Sequence, residues 1–149
     1  MSIPQEALLV AIESTLTGAP GIDAVIRGAL EDVQPHQSAN GATVGLDYGE
    51  LAPQNTSGLQ SFGGYRGDFD VRVVVYWNGP ASVWEARLWA AYAEAWRRIM
   101  ALSGIAGVLA IHPVGHEAPE IGRDGDAQHV MLRATFRAVI STNYGNPEA

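Results

Sequence analysis

The chain contains no cysteine and no lysine. Without thiols it has no disulfide framework, no thiolate zinc site and no cysteine nucleophile, and the redox compartment leaves no mark on the sequence. Genome composition explains the absence of lysine as readily as function does. Long apolar runs are also missing. No stretch approaches the roughly 20 apolar residues that cross a bilayer, and the start, MSIPQEALLVAIE, lacks the basic segment and apolar run of a secretory signal. A soluble intracellular product without a membrane partner is expected. Positive charge is scarce and unevenly placed. Nine arginines face sixteen acids for a formal net charge of −7, and within residues 1–60 Arg27 alone stands against Glu6, Glu13, Asp23, Glu31, Asp32, Asp47 and Glu50. Such a surface disfavours wrapping on DNA by phosphate neutralisation.

What is present is a globular composition, 47% hydrophobic and 17% charged over 149 residues, about the size of one domain with one core. Leu8, Ala11, Ile12 and Leu16 repeat at helical spacing after a capping box formed by Ser2 and Gln5, with Pro4 in the first turn, until Gly18 and Pro20 stop the pattern. Ile22, Ala24 and Ile26 alternate, which favours a strand at 22–28 over a resumed helix. Residues 31–42 read as a polar loop and 43–48 as a strand. Residues 49–67 carry no period and read as a long loop, of the kind that is usually functional or mobile. FDVRVVVYW, residues 69–77, puts Phe69, Val71, Val73, Val75 and Trp77 on one face and Asp70, Arg72, Val74 and Tyr76 on the other. Ser82 with Glu85 predicts a second capping box, opening a helix of about 20 residues that Ser103 and Gly104 stop. A strand at 106–112, a proline- and glycine-punctuated connection, and a long last strand alternating Val130, Leu132, Ala134, Phe136, Ala138 and Ile140 complete the chain. The order predicts an α+β domain: a mostly antiparallel sheet of four to five strands with two helices packed on one face.

Motifs for chemistry are weak. His112, His116, Glu117, Glu120, Asp124, Asp126 and His129 crowd one region, but Pro113, Gly115 and Pro119 forbid the helix that would align the two imidazoles, and HEAPE is not the helical zinc motif. RDGD at 123–126 lacks the bidentate glutamate of a calcium loop. No serine sits in a nucleophile elbow, and FGGYRGDFD does not open a helix as a phosphate loop must. Arg66, Gly67 and Asp68 spell the integrin tripeptide, where Gly67 is read as closing the loop before the strand. No metal, cofactor or catalytic residue is assigned. The competing reading is a small metal-dependent hydrolase or ligand-binding α+β domain using the His112 and His116 region.

Three of the four tryptophans lie on the second helix. Trp84, Leu88, Ala91, Tyr92, Ala95, Ile99 and Leu102 step by three or four and form the stripe that packs on the sheet. Trp89 and Trp96 share a different face, with Arg97 and Arg98 close by. Either loops of the same chain or another subunit covers this second stripe, and exposed aromatic and arginine patches usually mark a protein interface.

In order, spacing and local texture the chain resembles the tail terminator (tail completion) proteins of long-tailed bacteriophages and gene transfer particles. The resemblance runs from the first helix through TVGLDYGELAP, GDFDVRVVVYW, SVWEARLWAAYAEAWRRIMAL and GVLAIHPVG to ATFRAVISTNYGNP. It implies a non-enzymatic virion protein at the head-proximal end of the tail, assembled in the host cytoplasm. Such proteins form a homohexameric ring that caps the tail tube, ends its polymerisation and joins it to the head connector. The partners implied are further copies of the chain, the tail tube protein and the connector protein, with genome DNA passing through the lumen without specific binding. The candidate interface residues are Tyr65, Arg66, Asp68, Trp89, Trp96, Arg97 and Arg98. A ring interface joins two different surfaces, and the acidic first part against the arginine-bearing later part is one candidate pairing.

Overall fold

The computed structural model describes residues 3–27, 41–53, 64–80, 82–124 and 127–143. Its elements are α1 (Pro4–Leu16), β1 (Ile22–Arg27), β2 (Ala42–Pro53), β3 (Gly64–Pro80), α2 (Trp84–Met100), β4 (Val108–His116), β5 (Glu120–Asp124) and β6 (Ala127–Asn143). The two longest strands, β3 and β6, pair antiparallel without a register break from Gly64↔Asn143 to Pro80↔Ala127, a ladder about 55 Å long at the usual rise per residue. Strict alternation holds this register, because a slip of one residue would turn Val71, Val73 and Val75 of β3 to the wrong side. Phe69, Val71, Val73, Val75 and Trp77 of β3 and Val130, Leu132, Ala134, Phe136, Ala138 and Ile140 of β6 are all buried in the core, the two faces dividing as their alternation predicts.

The sheet order is β1-β2-β3-β6-β4, with β5 on the same edge of β6 as β4. Among the described strands β1 and β2 run parallel and the other pairs antiparallel. Both helices cover one face. Leu8, Leu9, Ile12 and Leu16 of α1 are buried there, each contributing about 1.5–3 kcal/mol by leaving water. α2 buries Leu88, Ala91, Ala95 and Ile99, and its small alanines let the backbone lie close to the sheet. Glu85 in the first turn and Arg97 and Arg98 in the last complement the helix dipole. The fold is thus the α+β arrangement expected, with one strand more than the four to five anticipated.

That strand is β5. The stretch after residue 112 was expected to be a connection, yet β4 runs to His116 and β5 pairs Glu120↔Met131 through Asp124↔Ala127. Because β4 is an edge strand, Pro113 is tolerated within it. Register shifts set Leu109 and Val114 apart as bulged positions. The loop expected at 49–67 is shorter than predicted, because Leu51↔Phe69, Ala52↔Asp68 and Pro53↔Gly67 extend the β2–β3 ladder into its first part and β3 begins at Gly64. Residues 54–63 lie outside the described residues, as do residues 31–40 of the polar loop read at 31–42, whose last residue, Ala42, already belongs to β2. Neither capping box forms as expected. α1 has Ile3 at its N-cap with no side-chain cap, Ser2 lying outside the described residues. α2 starts one residue late, with Val83 at the N-cap, so Glu85 falls short of the third helical position that the box needs.

Gly107 ties the first helix to this sheet. It holds φ +82°, its carbonyl accepts the Ser141 amide at 2.8 Å, and a Cβ there would come within 2.8 Å of Pro4 Cβ. Gly107→Ala combines a left-handed backbone with overpacking on a rigid ring and is expected to cost about 2 kcal/mol or more, read as a lowered urea midpoint with an unchanged slope.

Candidate interaction surface

The second stripe of α2 stands on the flank of the helix that overhangs β4. Trp89 and Trp96 are 37% and 40% exposed, and two helical turns separate them by about 10 Å along the axis. Trp89 is braced from below. His116 of β4 pairs with Ala134 and so shares the helix face, where its ring packs edge-on at 5.3 Å from both Trp89 and Tyr92, themselves 6.0 Å apart. Burial raises the Tyr92 phenol above its ordinary pKa. The sheet edge beside this flank exposes Leu109, Val114 and Ile121. These three escaped the sequence reading because two of them occupy bulges, which break the alternation that would have revealed them, and the third belongs to the strand that was missed.

Arg97 and Arg98 have different roles. Both bind Glu94, Arg98 Nε at 2.7 Å, and Arg98 Nη1 also donates to the Thr15 carbonyl at 3.0 Å, fastening α2 to the end of α1. The hydrogen bonds from Arg97 and Arg98 hold the Glu94 carboxyl below its ordinary pKa. Arg98 is half-buried and structural, whereas Arg97 is the more exposed of the two. Two guanidinium groups thus share one carboxylate, and Arg98 holds the group against the end of α1. On α1 the balance is reversed. Arg27 forks onto Glu6 at 2.7 and 3.0 Å and lies 3.8 Å from Glu13, so two carboxylates share one guanidinium. The hydrogen bond from Arg27 lowers the Glu6 pKa.

The other face of the sheet, which the helices leave uncovered, buries Val74 and Thr43 and is laced by ion pairs: Arg72 with Asp47 at 2.6 Å, Arg137 with Asp70 at 2.8 Å, and Arg133 with Glu120 at 3.2 Å. Asp47 belongs to the acidic first part and Arg72 to the later part, so this attraction is used inside one chain. Arg66 and Asp68 lie on this face too, opposite Ser141 and Val139. Gly67 is buried within the β3 ladder instead of closing a loop, so the tripeptide is not displayed on a turn. Tyr65 pairs through its backbone with Thr142; its side chain is outside the described residues. The candidate interface residues therefore divide between two faces. The two histidines divide as well: His112 stands opposite Arg137 on the open face, away from His116. Among the described residues no group of three His, Asp or Glu side chains gathers to hold a metal ion, and no helix is long and apolar enough to cross a membrane.

Among the depressions lined by described residues, two are mainly apolar. One of about 330 Å³ is lined by Trp77, Ile121, Val130 and Met131 with Glu120 and His129 at its margin. The other, of about 240 Å³, lies where α1 begins, between Ile3, Leu9, Tyr48 and Phe69. Among the described residues β1 pairing stops at Arg27↔Leu46 and leaves β2 as the sheet edge at that corner.

No protein-family model matches the chain, and no curated protein matches it. Among solved structures it is similar to a chain from the virion of a native gene transfer agent particle, with 19% identity, 94% of this chain and 92% of that chain covered, and a TM-score of 0.49. A likeness this loose assigns no role.

Glu94 gives the surface its pH dependence. A carboxyl held below its unfolded pKa stabilises the fold above that unfolded value, and the contribution is lost as pH falls through the folded one. Glu94→Gln is therefore expected to lower the urea midpoint at neutral pH and to leave it unchanged at a pH where the wild-type carboxyl is already protonated. An equal loss at both pH values would mean that Glu94 acts through packing alone.

Proposed function

We propose that the chain is a structural virion protein, a homohexameric ring that caps the tail tube, stops its growth and meets the head connector at the head-proximal end of the tail. The observation that carries this reading is the apolar flank formed by Trp89 and Trp96 beside the bulged β4 edge with Leu109 and Val114. Isolated apolar residues on a surface need no explanation, but aromatic groups aligned along one helix flank and continued on the adjacent strand edge are the usual signature of a protein partner. The sequence resemblance to tail terminator proteins gives that partner its identity, another copy of the chain. The formal charge of −7 suits a lumen through which DNA slides, since like charge removes the phosphate-binding contribution. A hydrolase would need His112 and His116 to converge, and they stand on opposite faces of β4.

The test is the native mass of the purified protein across a concentration series, by light scattering coupled to size exclusion, followed by negative-stain imaging. Six-subunit rings, or a monomer that shifts toward them as concentration rises, are expected. A monomer at every concentration would overturn the reading.

A further inference from the structure

We draw no further inference here: the strongest candidate, the apolar flank of α2 at Trp89 and Trp96 that continues on the β4 edge at Leu109 and Val114, belongs to the surface already described, and nothing in the structure shows what covers it.

Discussion

The ladder between β3 and β6 is the constraint on which the rest of the structure depends. It supplies most of the buried sheet face, and every other element is placed by reference to it. β2 extends it on one side, and β4 and β5 lie end to end along the other side. α2 packs across it, and α1 packs beside α2. The ladder also carries some polar frustration. Trp77 Nε1, Asn78 Oδ1 and Gln128 Oε1, near its Pro80–Ala127 end, are buried without partners among the described residues, and groups of that kind cost about 1–3 kcal/mol each. The valine-rich pairs further along offset them.

Charge in this chain works mostly inward. Among the described residues Arg27, Arg72, Arg97, Arg98, Arg133 and Arg137 take part in ion pairs within the chain. Arg72 and Arg137 bind acids on the open face, and Arg98 ties the helices. Exposed pairs of this type contribute little each, but they spread opposite charge over the sheet face that the helices leave uncovered.

The fold was legible where periodicity was clean. Alternation in 69–77 and 130–140, and the three-four spacing of Leu88, Ala91, Ala95 and Ile99, identify both core faces because burial selects side chains one by one along a regular backbone. The failures have physical causes. Pro113 and Gly115 looked like breakers, yet an edge strand needs hydrogen bonds on one side only, so β4 runs past them. β5 was hidden by Gly122 and by flanking charges that sit comfortably at an edge. Ser82 is a good cap residue one position too early. At the candidate surface, the exposed pair Trp89 and Trp96 followed from helical spacing, but the bracing of Trp89 by His116 depends on a strand continuing where the sequence suggested a turn. The division between Arg97 and Arg98 depends on where α1 ends, which no local pattern encodes.

The bulges of β4 bear on what the chain does not become. A regular outer strand offers a row of amide and carbonyl groups to any other strand, and a protein gathered in many copies would then be prone to stack through its sheets into open-ended fibres. Here that edge is interrupted at Leu109 and Val114, has no amide hydrogen at Pro113, and bends at Gly115 with φ +143°. Copies that meet along this side must meet through side chains, whose shapes fix an angle between neighbours, and a fixed angle is what allows an assembly to have a last member.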